Sequence, residues 1–349
     1  MLAWFHTFDP VLLRISGDFG IRWYGLSYIL GFVCAYLWLR WLSLKRMTPL
    51  SPVFLMDALT WLVVGVIAGG RLGYVLIYSP DLFVTFTKSF PFWGVLMLNR
   101  GGMASHGGMV GVAIACVFIA TRKTESGARP GILHLFDLCA MTCTPGLALG
   151  RLANFINGEL LGRVVAPPGT KGPWWSVQYP QEVLEGHAPK LTNEQATSLL
   201  AVCDTHAPGL PFEQAYSRLL DLIHHGPAAR KAEIVEGLTP LISSRHPSQL
   251  YQCFAEGIVL GTVLWFIWKR PRKPGVIGGW FLVVYGVGRI ATEFWRLPDA
   301  DLVVQRIAGL SRGQWLSVVM IAAGAAMLVV AARRQVAKMG GWGAGTLGA

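Results

Sequence analysis

The polar residues of segment 150–163, GRLANFINGELLGR, lie at the end of an apolar run. Ionisable groups are costly at membrane depth and usually face a cavity or a substrate path. Arg151, Asn154 and Gly158 are three and four residues apart, so they share one face of a helix. An arginine fork and an amide one turn apart can hold a phosphate, and the alternative is a helix end with snorkelling charges. Asn157, followed by Gly158, predicts the end of that helix.

A second polar series runs through an apolar segment near the carboxyl end of the chain. Tyr285, Arg289, Glu293 and Arg296 are separated by four, four and three residues, which makes one stripe on a helix. The alternative is a structural i,i+4 pair between Arg289 and Glu293. A whole polar stripe in lipid still favours a site that faces a cavity.

Single polar residues at the ends of other apolar segments are further candidates. His106 lies among glycines, and an imidazole with a pKa of about 6.5 can take a proton from a thiol or hydroxyl; the alternative is a packing role. Tyr24 lies in RWYG at 22–25, where an apolar segment begins. Arg71 is equally compatible with a functional cation and with a structural cation paired with a neighbouring helix. Ser248 follows His-Pro and predicts an N-cap.

Composition indicates the protein class. Hydrophobic residues make up 53% of the 349 residues and charged residues 14%, with a mean hydropathy of +0.47. A soluble domain carries about 25% charged residues, so this is a polytopic membrane protein. The net charge of +11 is spread over short loops, which favours topology signals and contacts with anionic lipid over nucleic acid. The six cysteines show no metal-ligand spacing or disulfide framework, and no metal or cofactor is predicted.

The apolar pattern predicts an all-α polytopic membrane protein with about seven transmembrane helices. Each predicted helix is bounded by charged or turn-forming residues. The predicted spans are about 24–42, 57–78, 102–121, 131–156, 249–268, 276–295 and 313–332.

Charge and composition also predict the domain organisation. Lys and Arg are concentrated in the loops at 40–56, 121–130, 269–275 and 333–349, so these are expected on the cytoplasmic side, with the amino terminus outside and the carboxyl terminus inside. The long polar region then lies outside the membrane. The predicted organisation is an interfacial amino-terminal arm at 1–23, helices one to four at 24–157, a periplasmic or external subdomain at 158–245, helices five to seven at 246–334, and a cytoplasmic tail at 335–349.

Several long motifs, in order along the chain, resemble the bacterial phosphatidylglycerol–prolipoprotein diacylglyceryl transferase family. The motifs are RWYGLSY at 22–28, GGRLGY at 69–74, RGGMASHGG at 100–108, GRLANFINGELLGR at 150–163, RHPSQLY at 245–251 and YGVGRIATEFWRLPD at 285–299. They cover the chain from the first predicted span to the seventh. Two departures are Gln252, where the family more often has Glu, and the unusually long 158–245 region.

The resemblance implies an activity. Members of the family move a diacylglyceryl group from phosphatidylglycerol to the lipobox cysteine thiol of a preprolipoprotein, forming a thioether and releasing glycerol-1-phosphate. The expected partners are therefore phosphatidylglycerol, preprolipoprotein lipobox peptides and the lipid bilayer, in the bacterial inner membrane. A membrane transporter or channel for a small anion is the alternative, because it also places charged groups within spans.

The resemblance also implies the site. It makes Arg151 and Arg289 the essential arginines, and the expected supporting residues are Tyr24, His106, Asn154, Gly158, Glu159, Tyr285, Glu293 and Arg296. The two arginines, oriented by Asn154, are expected to hold the phosphate and to offset charge on the leaving oxygen. His106 is the predicted base for the substrate thiol, with Tyr24 or Tyr285 as alternatives.

Overall fold

The computed structural model describes residues 3–16, 19–88, 91–98, 102–297, 306–307 and 309–342. Most of them are helical. The helices are α1 (Trp23–Leu44), α2 (Pro52–Ile77), α3 (Ser105–Thr121), α4 (Ile132–Thr142), α5 (Thr144–Asn157), α6 (Asn193–His206), α7 (Phe212–His225), α8 (Ala228–Leu238), α9 (Ser248–Gln252), α10 (Leu260–Trp268), α11 (Val276–Glu293) and α12 (Arg312–Arg333). A π-helical stretch, Cys253–Val259, joins α9 and α10 into one continuous helix.

Apolar helices occur at all seven predicted span positions. Within the described residues, five are long and apolar enough to cross a membrane by themselves: α1, α2, Ser248–Trp268, α11 and Gly313–Arg333 of α12. The pair α4 and α5 adds a sixth if it is counted as one bent span. The third position carries only the 17 residues of α3, roughly 26 Å of helix. The chain is thus an all-α polytopic membrane protein whose third predicted span begins later than expected.

The fourth predicted span is bent by 42° between α4 and α5. Pro145 is the second residue of α5. A proline lacks the N–H that would continue the ladder, and its ring clashes with the carbonyl four residues earlier. The proline therefore marks the beginning of a separate helix, α5, which carries Arg151 and Asn154.

Short strands interrupt the helical pattern. They are β1 (Trp4–Phe5), β2 (Val11–Ser16), β3 (Phe19–Arg22), β4 (Val164–Ala166), β5 (Val177–Gln178), β6 (Ser244–Arg245), β7 (Arg306–Ile307) and β8 (Leu310–Ser311). One sheet has the order β1-β5-β6-β4, β1 being parallel to β5 and the other pairs antiparallel, while β2–β3 and β7–β8 are antiparallel pairs. The beginning of the chain is therefore built from strands, with β1 hydrogen-bonded to the 158–245 region.

Contacts divide the chain into two compact units. The first unit comprises Met1–Gly31, Thr144–Gly261 and Val283–Ala322. The second comprises Phe32–Cys143, Thr262–Leu282 and Ala323–Ala349.

In the first unit, helices α6 to α8 form a small bundle with its own core. Leu219, Ile223, Ile234 and Leu238 are fully buried there, and Phe5 from β1 joins the same cluster. The first β-strand is thereby held by backbone pairing with β5 and by the apolar packing of Phe5 against the bundle.

The part of helix Ser248–Trp268 that belongs to the first unit, residues 248–261, packs closely against α5. A Cβ placed on Gly257 would lie only 2.9 Å from the Cα of Ala148, so glycine is needed at this crossing. Small residues at a helix crossing allow the two backbones to approach. This approach brings polar side chains of the two helices into contact one turn further along.

In the second unit, α2 and α3 cross through a series of glycines. A Cβ on Gly73 would lie 2.7 Å from the Cα of Gly107, and one on Gly69 would lie 2.8 Å from the Cα of Gly111. The spacing of four residues keeps these glycines on one face of each helix. Gly107, which directly follows His106 in the sequence, is therefore a helix-packing residue.

Candidate active site

Arg151 of α5 forms an ion pair with Glu256 of the π-helical stretch. Its Nε and Nη2 donate to the same carboxylate oxygen, Oε2, at 3.0 and 2.8 Å. The Arg151 side chain is 19% exposed and that of Glu256 is fully buried. The second carboxylate oxygen, Oε1, is buried and accepts no hydrogen bond from any described residue. The pair holds the guanidinium in one orientation and leaves one carboxylate oxygen unsatisfied.

Tyr285 of α11 lies beside this pair. Its phenol hydrogen-bonds with the Arg151 guanidinium and interacts electrostatically with both Glu256 and Arg289. One phenol group therefore hydrogen-bonds with Arg151 and lies within electrostatic range of Arg289, the arginine predicted from the other motif.

Arg289 forms an ion pair with Glu293 one turn further along α11. Its Nη1 is 3.2 Å from Glu293 Oε2, and Nη1 of Arg296 is 3.9 Å from the same oxygen. Ser311 donates its hydroxyl to the other oxygen at 3.1 Å. The predicted polar stripe thus exists, and its i,i+4 pair is formed. Arg289 Nη1 nevertheless lacks hydrogen-bond geometry to any acceptor among the described residues, although it is buried.

Helix α5 ends as predicted, at Asn157 and Gly158. Gly158 has a φ of +70°, the left-handed conformation that favours glycine. The N–H of Glu159 donates to the carbonyl of Asn154, and the N–H of Gly158 donates to that of Phe155. These two bonds make a Schellman cap, which satisfies carbonyls that the helix end would leave free.

The cap directs the Glu159 carboxylate back over the end of α5. Asn154 and Asn157 donate their amides to it at 3.2 and 2.8 Å. Asn154 is therefore tied to Glu159 rather than to Arg151. Asn154 and Arg151 share a face of α5, but their partners differ. The Asn154 amide binds Glu159, and the Arg151 guanidinium binds Glu256.

The segment that follows, 159–162, is held by residues that precede and begin helix Ser248–Trp268. Gln249 donates to the carbonyl of Glu159, and Ser248 donates its hydroxyl to that of Leu160 at 2.9 Å. The predicted capping role of Ser248 is wrong, because its hydroxyl is used by this neighbouring loop and the N-cap, Pro247, makes no side-chain bond. Arg245 donates to the carbonyl of Gly162 at 3.0 Å.

Arg245 itself is fixed by a fully buried carboxylate. Its Nε donates to Glu182 Oε2 at 2.5 Å, and both side chains have no exposed surface. Ser243 adds its N–H and its hydroxyl to the same carboxylate. These hydrogen bonds and the ion pair hold Arg245 against the loop that follows Glu159, and removal of either partner would leave an unpaired buried charge.

Burial changes the pKa values of two ionisable side chains near this loop. Partial burial and the nearby Arg163 lower the pKa of His246. Burial, together with the Glu159 carboxylate, raises the pKa of Glu185 to about 7. Burial therefore favours the neutral form of both side chains.

Tyr24 opens α1 in the first unit. Its hydroxyl is 3.4 Å from that of Tyr28, and it interacts electrostatically with Glu159 and Arg151. This predicted site residue therefore lies near the same charged groups.

The first unit thus contains nine of the predicted site residues. They are Tyr24, Arg151, Asn154, Gly158, Glu159, Tyr285, Arg289, Glu293 and Arg296. His106 is in the first turn of α3, in the second unit, and its side chain lies outside the described residues.

Arg71 has a structural role. It is 5% exposed and donates to the carbonyl groups of Gly94, Val95 and Gly102 at 2.7 to 2.9 Å. These contacts support the structural hypothesis for this cation. The partners of Arg71 are backbone carbonyl groups of the chain that precedes α3.

Sequence reasoning missed Glu256 as a site residue. The signal was present, because Glu256 is an acidic residue near the middle of the fifth predicted span, about 249–268. Its role depends on the partner that α5 supplies, which no local pattern shows. Among the described residues, no group of three or more His, Cys, Asp or Glu side chains can hold a metal ion.

Comparison with known proteins identifies the same family that the sequence motifs resemble. The sequence profile of the family described as prolipoprotein diacylglyceryl transferase matches residues 10–330. Proteins named phosphatidylglycerol–prolipoprotein diacylglyceryl transferase from Bdellovibrio bacteriovorus, Ruegeria pomeroyi and Rhodospirillum rubrum are 42%, 36% and 37% identical. The alignments cover 97%, 92% and 94% of this chain, and 96%, 94% and 94% of those proteins.

Proposed function

This chain belongs to the prolipoprotein diacylglyceryl transferase family, and on that premise we propose that it transfers the diacylglyceryl group of phosphatidylglycerol to the lipobox cysteine thiol of preprolipoproteins. The thiol sulfur displaces the phosphate oxygen at the glyceryl carbon. A thioether forms, glycerol-1-phosphate leaves, and the thiol proton must be taken up by a base. The substrates are phosphatidylglycerol and the lipobox segment of the acceptor, both delivered from the membrane.

The arginine constellation around Tyr285 is the observation that carries this proposal. Arg151 uses two of its five N–H groups on Glu256. Arg289 Nη1 lies 3.2 Å from Glu293 Oε2, but it has no hydrogen-bond geometry to that oxygen or to any other acceptor among the described residues. Unsatisfied buried donors are costly, and a phosphodiester supplies only acceptors. We assign phosphate binding to these two arginines, which also stabilise the negative charge that develops on the leaving oxygen.

The remaining predicted residues have supporting roles in the proposal. Asn154, Gly158 and Glu159 shape the end of α5, while Glu293 and Arg296 surround Arg289. His106 is retained as the proposed base on sequence grounds, with Tyr24 and Tyr285 as alternatives. A free thiol has a pKa of about 8.5, so a base is needed at neutral pH.

The chain is a multi-pass bacterial membrane protein. We further propose that it resides in the inner membrane with the amino terminus and the 158–245 subdomain outside and the carboxyl terminus in the cytoplasm. The distribution of Lys and Arg among the short loops supports this orientation. Labelling of single introduced cysteines in loops 121–130 and 158–245 with an impermeant thiol reagent on intact cells tests it.

Mass spectrometry of a synthetic lipobox peptide tests the activity. Purified protein in detergent with phosphatidylglycerol should add a diacylglyceryl mass to the peptide cysteine, and both Arg151→Ala and Arg289→Ala should abolish the addition. Arg122→Ala is the control, since Arg122 makes an exposed 3.6 Å ion pair with Asp57 in the second unit. If both site variants still add the diacylglyceryl group, the proposed phosphate-binding role of the two arginines is refuted. If folded wild type adds no diacylglyceryl group, the proposed transferase activity is refuted.

A further inference from the structure

Gln252 is a fully buried side chain with no hydrogen-bond partner among the described residues. Neither its Nε2 nor its Oε1 is paired, and its exposed surface is zero. The unsatisfied Oε1 of Glu256 belongs to the same helix four residues later. Leaving a buried donor or acceptor unpaired is unfavourable, because the group loses its hydrogen bonds to water and gains none in the protein. Three such atoms together indicate that this place is built for a ligand.

The neighbours of Gln252 locate it on the face that packs against α5. Three residues earlier, Gln249 donates to the carbonyl of Glu159. Four residues later, Glu256 binds Arg151. Residues three and four apart lie on one face of a helix. Gln252 therefore lies between the Glu159 loop and the Arg151 ion pair.

The donor or acceptor character of the three unpaired atoms indicates which ligand could form hydrogen bonds with all of them. Gln252 Oε1 and Glu256 Oε1 are acceptors, and Gln252 Nε2 is a donor. A phosphate has no donors at neutral pH as a diester, so it cannot pair with the two acceptors. An ammonium has donors but no acceptor for Nε2. A 1,2-diol offers two O–H donors and two acceptor oxygens, which matches the set.

We propose that Gln252 and the free oxygen of Glu256 form a subsite for the terminal glycerol diol of the donor phospholipid. The inference rests on the proposed function, and it adds Gln252 as a residue that recognises the glycerol headgroup. Arg151 holds Glu256 Oε2, so the diol subsite lies next to the guanidinium assigned to the phosphate. The leaving group is thereby bound at both its phosphate and its glycerol.

A donor lipid without the diol tests the subsite. Phosphatidylethanol has the same phosphodiester and acyl chains with an ethyl group in place of the glycerol. Wild type should modify the lipobox peptide with a kcat/KM at least tenfold higher for phosphatidylglycerol than for phosphatidylethanol. Gln252→Met, which keeps the side-chain length and removes both polar atoms, should lower kcat/KM for phosphatidylglycerol by about tenfold through a raised KM. It should leave kcat/KM for phosphatidylethanol unchanged.

A thermal unfolding measurement separates binding from a structural role. Replacing unpaired polar atoms by an apolar group of the same shape is neutral or stabilising, so Gln252→Met should not lower the unfolding temperature. Gln178→Met is the matched control, because the buried amide of Gln178 donates to the carbonyls of Thr239 and Ile242, each at 2.8 Å. That variant should unfold at a lower temperature and keep the preference for phosphatidylglycerol.

The outcomes distinguish the subsite from the activity itself. Wild type that transfers equally well from both lipids, or a Gln252→Met variant that keeps the full preference, overturns the subsite while the transferase assignment stands. A Gln252→Met variant that loses stability as Gln178→Met does, with its preference intact, shows a structural role. No transfer from phosphatidylglycerol by wild type overturns the proposed function instead.

Discussion

Replacement of Glu256 by Gln should impair the transfer reaction because Glu256 orients Arg151. The two donors of Arg151 reach one carboxylate oxygen at 3.0 and 2.8 Å, and solvent screens the pair little, since Glu256 is fully buried. A hydrogen bond to a charged group contributes about 1.5–3 kcal/mol and a neutral one about 0.5–1.5. The neutral amide oxygen can still accept both bonds, so Glu256→Gln loses about 2–3 kcal/mol. At 1.36 kcal/mol per tenfold, kcat/KM should fall roughly 30- to 160-fold.

The assay is lipobox peptide modification, measured as kcat/KM per folded enzyme and accompanied by thermal unfolding in detergent. Glu182→Gln is the matched control, because Glu182 makes the same kind of buried pair with Arg245. It should lower the unfolding temperature and reduce kcat/KM much less than Glu256→Gln does, because Glu182 supports the Glu159 loop through Arg245 and binds neither Arg151 nor Arg289. A folded Glu256→Gln enzyme within about threefold of wild type would refute the orienting role of Glu256.

Three further predictions concern other parts of the chain. Cys139→Ala combined with Cys143→Ala should leave peptide modification largely intact, because the substrate supplies the nucleophilic thiol; abolished modification with retained folding contradicts this. Arg71→Ala should cost about 3 kcal/mol or more, seen as a lower unfolding temperature, since three carbonyl groups lose their donor. Burial lowers the pKa of His6 from 6.5 to about 4, so the unfolded chain takes up this proton first and about 3 kcal/mol of stability is lost as pH falls from 6.5 to 4. The unfolding temperature of His6→Gln should depend less on pH over that range, and an unchanged dependence would assign the acid sensitivity to other groups.

The positions of the apolar helices were predictable because the cost of polar groups in lipid acts on each segment separately. The end of α5 was predictable for a similar reason, since Gly158 adopts a positive φ that depends on local geometry. The role of Ser248 was mispredicted, because its hydroxyl bonds to Leu160, which is far away in the sequence. The bend before α5 had a local signal in Pro145, but its angle depends on packing.

The sequence by itself determined the residues within each helix that share a face. Arg289 and Glu293 are paired because four residues make about one helical turn, whatever surrounds them. Only the tertiary structure decided the partners between helices. Glu256 meets Arg151 because Gly257 allows α5 to approach closely, and no periodicity within either segment encodes that contact. A helix fixes its own faces through short-range geometry, whereas the packing of two helices depends on the shapes of both surfaces.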